Sequence, residues 1–353
     1  MNNRSNGSVS FNTIKRSHRA ERSQRNRQGR VVLLAICAVL LLLALTGLVF
    51  LVVHIAHVAG GEKQPLPNDP VPNGTQSTGN ILYTSVAMEF GETQTGDLIL
   101  VNKTHAYTFP DTRLENLNGI DKQPYIMNNY RVPSGSQLPY MLALDKELII
   151  QPHAAQALNS MLVSYYQTTG DNSLTVREIY RTEAQQNSSS VPAGYSDHHT
   201  ALLVCLKVLS SSTYKDLNEI EQSWVFENCH KFGFIQRYPS AWSGLTEVDG
   251  YPEAFRYVGV AHATYIKKNQ LCLEKYLELL RTNHTSLNGT DGKHLSVDTD
   301  GNGTADYEIY YVPANSEQGA LTAVPVPSNF AYSISGDNCG GFIVTVDLAN
   351  PIA

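Results

Sequence analysis

The spacing of hydrophobic positions predicts helices in three places beyond residue 80. Between Gln151 and Gly170, apolar side chains return every three or four residues, as they do along one face of a helix. Asp216–Lys231 and Ala261–Leu280 are also predicted as helices, the second in two pieces. Gly170 and Gly233 follow the first two predicted helices, at positions where glycine commonly ends a helix.

Short runs of strand-forming residues surround these helices. The predicted strands are Asp97–Asn102, Leu174–Thr182, Ala201–Leu209 and Gly233–Tyr238. Near the end of the chain, the runs YEIYYV and GFIVTV are separated by turns rich in proline and glycine. They predict a small β appendage over residues 307–353.

Residues 281–306 are rich in Asn, Gly and Thr and are predicted to form a linker. Within this stretch, Asp298, Asp300, Asn302 and Asp306 imitate ligand positions of a calcium-binding loop. The last position of such a loop requires an acidic residue, and Ile309 stands there instead. A solvated turn is therefore the favoured interpretation.

Residues 31–53 are almost wholly apolar, and this run of 23 residues is long enough for a helix to cross a bilayer. Eight Lys and Arg side chains precede it with one Glu, so the positive-inside rule places residues 1–30 in the cytoplasm. A cleaved signal peptide is the alternative, but its apolar region is shorter, about 7–15 residues. We expect a single-pass membrane protein with a cytoplasmic tail (1–30), a transmembrane helix (Val31–Val53) and a Pro/Gly-rich stalk (54–80). Its C-terminal ectodomain is expected to be extracellular.

The remainder of the chain is acidic. The net charge of the 353 residues is −6, but residues 31–353 hold 18 basic and 31 acidic side chains, a net of −13. This balance argues against nucleic acid as a partner. Four of the five cysteines follow the apolar run, without a CxxC pair or dense spacing, so no disulfide framework is predicted. A single bridge among them stays open.

The most informative stretch is GYPEAFRYVG, at Gly250–Gly259. Pro252 and the FRYVG run match the ending E-P-W-H-[FY]-R-Y-V-G of VanY-type D-alanyl-D-alanine carboxypeptidases, which the chain resembles. Members of this family are zinc peptidases that trim peptidoglycan stem peptides. Tyr251 stands where the family has its general base Glu, and Ala254 stands where it has its last zinc-binding His.

A second stretch, SDHHTALLVC at Ser196–Cys205, resembles the family motif S-x-H-x-x-G-x-x-x-D, which supplies a His and an Asp ligand to zinc. Ser196 and His198 match this motif, whereas Cys205 stands at the position of the Asp ligand. Alternate residues of an extended strand share a face, so Ala201, Leu203 and Cys205 should point the same way. Cys205 is therefore expected to point where the Asp would.

Upstream, Ile179–Thr182 with Gln186 resembles the family segment G-Y-R-S/T-x-x-x-Q. The resemblance implies that Arg181 binds the carboxylate of the substrate, with Ser196 and Gln186 nearby, because a guanidinium offers a carboxylate two parallel donors. A structural ion pair at Arg181 is the alternative. The resemblance covers about residues 81–280.

The resemblance implies an α+β fold for residues 81–280, a small antiparallel sheet flanked by helices. It implies an extracytoplasmic cell-wall protein that binds peptidoglycan stem peptide or a wall-enzyme partner. An alanine offers no donor atom to a metal, and a tyrosine with an ordinary pKa of about 10 is a poor base near neutral pH. We therefore expect a catalytically impaired member of the family without bound zinc.

Two other hypotheses remain. One is an active zinc D-Ala-D-Ala carboxypeptidase with a rearranged metal site, in which His198 and Cys205 are joined by a third ligand. The candidates for that ligand are His199, Glu253, His262 and His230. The other hypothesis is an interaction protein that has inherited the fold and makes no use of the cleft around Arg181. If no metal binds, His198 is a hydrogen-bonded histidine and Cys205 a small buried hydrophobe.

Overall fold

A computed structural model of the protein describes residues 81–109, 150–187, 191–210 and 213–352. The predicted tail, the apolar run Val31–Val53 and the stalk lie outside these residues. Within the described ranges, no helix is both long enough and apolar enough to cross a membrane. The topology expected from the sequence stays a prediction.

Strands and helices follow one another along the described residues. The strands are β1 (Tyr83–Glu89), β2 (Leu174–Glu178), β3 (Leu203–Ser210), β4 (Thr213–Lys215), β5 (Phe234–Tyr238), β6 (Tyr251–Tyr257), β7 (Leu295–Val297), β8 (Tyr307–Pro313), β9 (Leu321–Pro327), β10 (Phe330–Gly336) and β11 (Gly341–Pro351). The α-helices are α1 (Pro152–Thr169), α2 (Glu183–Gln186), α3 (Ser223–Asn228), α4 (Ser243–Thr246), α5 (Val260–Lys268) and α6 (Leu273–Asn283). Short 3-10 turns occur at Phe90–Gln94, Asp197–Thr200, Cys229–Phe232 and Ser240–Trp242.

The central sheet is antiparallel, with the strand order β2-β3-β6-β5 and with β4 paired to the far end of β3. Helix α1 packs on one face, where Leu158 and Tyr165 join Leu206 of β3 and Phe255 of β6 in the main hydrophobic core. The opposite face of the same strands carries Cys205 in a smaller cluster. The fold combines helices with antiparallel sheets, as the sequence predicted.

The helix predicted at Gln151–Gly170 is confirmed by α1. It ends at Thr169, and the next residue, Gly170, adopts the left-handed backbone conformation. The two pieces expected within Ala261–Leu280 are α5 and α6. In α6 the buried side chains recur along one face of the helix, whereas in α5 six consecutive residues, Ala261–Ile266, are buried.

The helix predicted at Asp216–Lys231 is wrong in its first half, since α3 begins only at Ser223. The side chain of Asn218 accepts hydrogen bonds from the backbone N–H groups of Ile220 and Glu221. Such local bonds give the backbone an alternative to the helix and favour a turn.

The strand predicted at Asp97–Asn102 is also wrong. Leu98–Val101 is buried, but two of its N–H groups donate to Oγ of Ser335 at 2.9 Å and to the carbonyl oxygen of Asp337 at 3.1 Å. These partners lie at the end of β10 and just beyond it. The stretch is apolar because other parts of the protein cover it, and not because it belongs to a sheet.

The C-terminal part of the chain forms a second antiparallel sheet in the order β10-β11-β8-β7, and β1 pairs with β9 in a separate ribbon. Residues 281–306, predicted as a linker, contain β7, which pairs with β8. Strand β1 opens the described residues, yet it pairs with β9 from Tyr83–Pro327 to Glu89–Leu321. The C-terminal β structure is therefore completed by a strand from the start of the described chain.

The acidic loop between β7 and β8 is held by its own backbone. The carboxylate of Asp298 accepts from the N–H groups of Gly301 and Gly303, both at 2.7 Å. Asp306 accepts from the N–H of Thr299 at 2.8 Å. These bonds are those of a turn stabilised by carboxylates.

Candidate active site

Three neighbouring strands place Glu178, Cys205 and Ala254 in one row across the central sheet. Cys205 of β3 lies opposite Ala254 of β6 on one side and opposite Glu178 of β2 on the other. Side chains directly opposite each other in antiparallel strands share a face, with Cβ atoms about 4.5–5.5 Å apart. One neighbour of Cys205 therefore has no donor atom, and the other is a carboxylate.

A bulge in β2 turns Glu178 toward this row. Val176 pairs with Leu206, whereas Glu178, two residues later, pairs with Cys205, so Arg177 is an extra residue in the strand. Without the bulge, Val176 and Glu178 would face the same way, because side chains of a strand alternate. Val176 and Leu206 point into the main core. The bulge therefore directs Glu178 to the opposite face.

His198 joins the cluster from the 3-10 turn at Asp197–Thr200. Its Nδ1 lies 2.5 Å from the backbone carbonyl oxygen of Ile179. Because a carbonyl can only accept, Nδ1 carries the proton and Nε2 carries the lone pair. Nε2 lies 3.9 Å from the sulfur of Cys205. Burial lowers the pKa of His198 to about 4, so the ring is neutral near pH 7.

Cys205 and Tyr251 share a buried contact. Burial raises the pKa of the Cys205 thiol to about 12, and the hydroxyl of Tyr251 is hydrogen-bonded to that sulfur. The pKa of Tyr251 is raised above its ordinary value of 10, chiefly by burial and next by the charge of a Cys205 thiolate. Tyr251 therefore keeps its proton near neutral pH and cannot take one from a water molecule.

Arg181 forms an ion pair with Glu178 and a hydrogen bond with Oε1 of Gln186 at 3.3 Å. Gln186 is buried, and its amide nitrogen donates to a backbone carbonyl at 2.7 Å. Ser196 starts the 3-10 turn, where its Oγ accepts from the N–H of His198 at 3.4 Å. The side chain of Arg181 is 25% exposed. The ion pair that the sequence left open is present, and a carboxylate ligand of Arg181 would compete with Glu178.

Two side chains that the sequence offered as a third ligand are engaged elsewhere. The ring of His199 bonds to the N–H of Gly194 at 3.0 Å and to the carbonyl oxygen of Arg181 at 2.8 Å. Glu253 is buried and forms an ion pair with Lys207. Among the described residues, neither His199 nor Glu253 belongs to the group of potential metal ligands that contains His198.

The other two candidates lie in different packing environments. His262 bonds to the hydroxyl groups of Tyr276 at 2.6 Å and Thr345 at 2.9 Å, so it joins α5 to α6 and β11. His230 lies in the turn after α3. Neither belongs to a group of potential metal ligands among the described residues.

The residue that does join His198 and Cys205 is Glu178, and the donor atoms of the three lie within 4.8 Å of one another. Sequence reasoning missed Glu178 because regular alternation would place it with Val176 in the core. The only signal was a pair of charged residues, Arg177 and Glu178, at the end of an otherwise buried strand. A bulge in β2 is not visible in the amino-acid pattern.

Comparisons with known proteins identify the family of this chain. The family model for VanY, D-alanyl-D-alanine carboxypeptidase, matches residues 141–260. A D-alanyl-D-alanine carboxypeptidase of Enterococcus faecium is 30% identical over 259 residues, which cover 71% of this chain and 75% of that protein. The chain belongs to the VanY-type D-alanyl-D-alanine carboxypeptidase family. A further D-alanyl-D-alanine carboxypeptidase, from Enterococcus faecalis strain ATCC 700802 / V583, is 28% identical over 199 residues, which are 55% of this chain and 70% of that protein.

A solved structure shows the same fold. The vancomycin resistance D,D-dipeptidase VanXYg, in complex with a D-Ala-D-Ala phosphinate analogue, superposes with a TM-score of 0.58 at 22% identity. The match covers 75% of this chain and 99% of that one. The VanY-type fold expected from the sequence is thereby confirmed.

The zinc ligand positions of the family do not fit zinc in this chain. His198 supplies a nitrogen and Cys205 a sulfur, but Ala254, at the third position, is a buried methyl group without a donor. A catalytic zinc site has three protein ligands and an open position for water. The only donors beside this pair that could complete three ligands in the described structure come from Glu178, on the opposite neighbouring strand.

Arg256, which matches the family pattern, helps to fix the turn that carries His198. Arg256, from the FRYVG run, donates to Oδ1 of Asp197 at 2.8 Å and to the carbonyl oxygen of Asp97 at 2.9 Å. Arg237 donates to the other oxygen of Asp197 at 2.7 Å and pairs with Glu274. The residue before His198 is thus fixed by two buried guanidinium groups, a network that sequence reasoning missed.

Proposed function

We propose that this VanY-family protein is anchored in the membrane, lies outside the cytoplasm, and binds the C-terminus of peptidoglycan stem peptides without efficiently hydrolysing them. The observation that carries the proposal is Tyr251. It occupies the position of the family's general base, and its hydroxyl has a raised pKa and is hydrogen-bonded to Cys205. A positioned general base contributes about 10²–10⁴-fold to a hydrolytic rate.

Recognition of the peptide rests on Arg181. The guanidinium lies at the edge of the cluster, partly exposed, and Gln186 holds one of its nitrogens. A D-Ala-D-Ala terminus presents a carboxylate, which a guanidinium binds through two parallel hydrogen bonds. Glu178 already pairs with Arg181. We therefore expect weak binding, on the order of −4 to −6 kcal/mol, which corresponds to a Kd between about 1 mM and tens of micromolar.

The second candidate function is a zinc D-Ala-D-Ala carboxypeptidase with a rearranged site, favoured by the position of Glu178 beside His198 and Cys205. A bound zinc ion would supply a Lewis acid and a water of lowered pKa. Neither Tyr251 nor Glu253 would supply the base, because Tyr251 keeps its proton and Glu253 is paired with Lys207. The impaired protein is for this reason the first proposal.

The decisive experiment measures D-Ala release and peptide binding by the full-length chain in mild detergent. With added zinc and a stem peptide ending in D-Ala-D-Ala, release of D-Ala should stay at the background rate. Calorimetry should detect weak binding of the same peptide, and Arg181→Ala should abolish it. Arg177→Ala is the matched control, because Arg177 lies four residues before Arg181, within β2, and stacks on Tyr214, 4.0 Å from the ring centre.

Each result decides between the hypotheses. Turnover well above background would favour the active zinc peptidase. Equal binding by the wild type and by Arg181→Ala would remove the argument for peptide recognition. The interaction hypothesis, in which the fold is inherited and the cleft around Arg181 is not used, would then take its place.

A further inference from the structure

Three donor atoms of different chemistry converge on the face of the central sheet opposite the main core. A carboxylate oxygen of Glu178, a ring nitrogen of His198 and the sulfur of Cys205 lie within 4.8 Å of one another. They come from β2, the 3-10 turn after Ser196, and β3. His198 and Cys205 are buried, at 4% and 0% exposure. A mixed carboxylate, imidazole and thiol set is not explained by packing of apolar groups.

The spacing of nitrogen and sulfur suits a metal ion. A tetrahedral zinc ion with bonds of about 2.3 Å to sulfur and about 2.0–2.1 Å to nitrogen holds these two atoms about 3.6 Å apart. Nε2 of His198 and Sγ of Cys205 are 3.9 Å apart. Small side-chain rotations that move these atoms a few tenths of an ångström would bring them to the distance found in a zinc site.

The surroundings of the two buried ligands are also those of a metal site. A metal-binding histidine usually donates its other ring N–H to a carbonyl or carboxylate, which fixes the ring. Nδ1 of His198 makes this bond to the carbonyl oxygen of Ile179. The hydroxyl of Tyr251 is bonded to the sulfur of Cys205 and can donate to a thiolate. Both ligands are therefore held in place by a second hydrogen bond.

Glu178 supplies both the third donor and a route from solvent. Its side chain is 39% exposed, and it is held by the ion pair with Arg181. The bulge at Arg177 is the local feature that directs its carboxylate to the face of Cys205. An ion can therefore reach the two buried donors from the side of Glu178.

We propose that Glu178, His198 and Cys205 form a metal site for a zinc ion, in which a carboxylate from β2 replaces the ligand that is missing from β6. In the family the third ligand stands at the position of Ala254, on one side of Cys205. In this chain it would be Glu178, which lies on the other side of Cys205. Zinc accepts thiolate, imidazole and carboxylate ligands together, whereas calcium and magnesium take oxygen ligands. The proposal stands independently of peptide binding and of hydrolysis.

Cobalt substitution tests the site without any reference to activity. The full-length chain is purified in mild detergent, stripped with a chelator and titrated with Co²⁺. A thiolate ligand gives an intense ligand-to-metal charge-transfer band in the near ultraviolet, and oxygen ligands do not. The band should saturate at one equivalent and disappear when Zn²⁺ is added. Cobalt bound by the acidic loop around Asp298 would give no such band.

Matched variants identify the ligands. Cys205→Ala should remove the charge-transfer band, whereas Cys229→Ala, a buried free cysteine of the main core, should leave it unchanged. Glu178→Gln should weaken cobalt and zinc binding at least about tenfold. Because Glu178 is partly exposed, this variant should fold even where Cys205→Ala does not, and fluorescence of the two tryptophans checks both.

Two results would overturn the site. The first is the absence of a charge-transfer band in the wild type at several equivalents of Co²⁺. The second is equal metal affinity in the wild type and Glu178→Gln, which would leave the third ligand unassigned. A positive result together with D-Ala release at the background rate supports both proposals, whereas a positive result with rapid release overturns only the proposed impairment.

Discussion

Arg256 donates a hydrogen bond to Oδ1 of Asp197 at 2.8 Å, and neither side chain is exposed to solvent. Arg237 bonds to the second oxygen of Asp197 at 2.7 Å and is equally buried. One carboxylate therefore lies between two guanidinium groups that come from different strands. Since Asp197 precedes His198, this network fixes the turn that carries the histidine.

Asp197→Asn should destabilise the protein strongly. The replacement keeps the shape of the side chain but removes the charge between two buried Arg residues. Breaking a buried ion pair from one side costs about 3–5 kcal/mol, because a buried charge loses its partner. Chemical denaturation followed by tryptophan fluorescence gives the free energy of unfolding.

Glu278→Gln is the control for this measurement. Glu278 pairs with Lys275 on the surface of α6, and both side chains are more than 40% exposed. Exposed pairs contribute about 0–1 kcal/mol. A loss for Asp197→Asn no larger than that of Glu278→Gln would show that the network does not hold the fold together.

Stability should also fall as the pH is lowered through the range in which His262 titrates. Burial lowers the pKa of His262 from 6.5 to about 4. Between these values the unfolded chain binds a proton that the folded protein does not, so the free energy of unfolding rises with pH. The contribution is complete above about pH 6.5 and lost toward pH 4. Each pKa unit is worth 1.36 kcal/mol, so His262 accounts for about 2 kcal/mol between pH 7 and pH 5.

The pH dependence can be assigned with one variant. Glutamine at position 262 keeps a donor and an acceptor for Tyr276 and Thr345 but does not titrate. The free energy of unfolding of His262→Gln should therefore depend less steeply on pH than that of the wild type. His198, whose pKa is also lowered to about 4, should account for part of the slope that is left. Parallel curves for the two proteins would contradict the assignment.

The sequence located those elements whose pattern comes directly from burial. The stripe of α1 and the apolar runs of β3 and β5 are buried, and each was found near its observed position. Leu98–Val101 is equally buried, but its N–H groups donate to the side chain of Ser335 and the carbonyl oxygen of Asp337 without joining a sheet, so its apolar run was mistaken for a strand. A run of apolar residues predicts that a segment is buried, but it does not predict which backbone groups the segment will bond to.

In the candidate site, too, some residues were found from the sequence and one was not. The resemblance identified His198, Cys205, Tyr251 and Ala254, and the structure brings Cys205 into contact with the other three positions. Glu178 could not be found, because its direction depends on one extra residue in β2. The mutual distances of side chains from three separate strands follow from register, and register is set by contacts across the whole sheet.

The topology of the chain is open to a direct test. Residues 1–30 should be cytoplasmic and residues 81–353 external, because eight basic side chains precede the apolar run at residues 31–53. Protease added to intact cells should remove the ectodomain and leave an epitope at the N-terminus protected. Protection of the ectodomain until the cells are lysed would contradict the predicted orientation.

Restoring the family residues should restore hydrolysis if the frame around the site is intact. The variant combines Cys205→Asp, Tyr251→Glu and Ala254→His. Position 254 lies directly opposite position 205, so the new His and Asp would be neighbours across β3 and β6. Ala254→His alone should overpack a fully buried position. Tyr251→Glu removes a larger side chain from the same small cluster, so the two changes should be tolerated together.

Release of D-Ala from a D-Ala-D-Ala stem peptide, with zinc supplied, is the readout of this restoration. Zinc content alone would not separate the restored site from one held by Glu178. Single replacements should do almost nothing, because groups that act as a unit are strongly non-additive. The pair Cys205→Asp with Ala254→His should hydrolyse poorly, since the base is still absent and is worth about 10²–10⁴-fold. Recovery should stay partial, because Glu253 stands where the family has a Trp, and such supporting residues are commonly worth about 10–100-fold.

Adding His198→Gln to the triple variant should abolish release again. A folded triple variant that binds zinc but releases no D-Ala would show that the scaffold around residues 196–259 has changed along with its ligands.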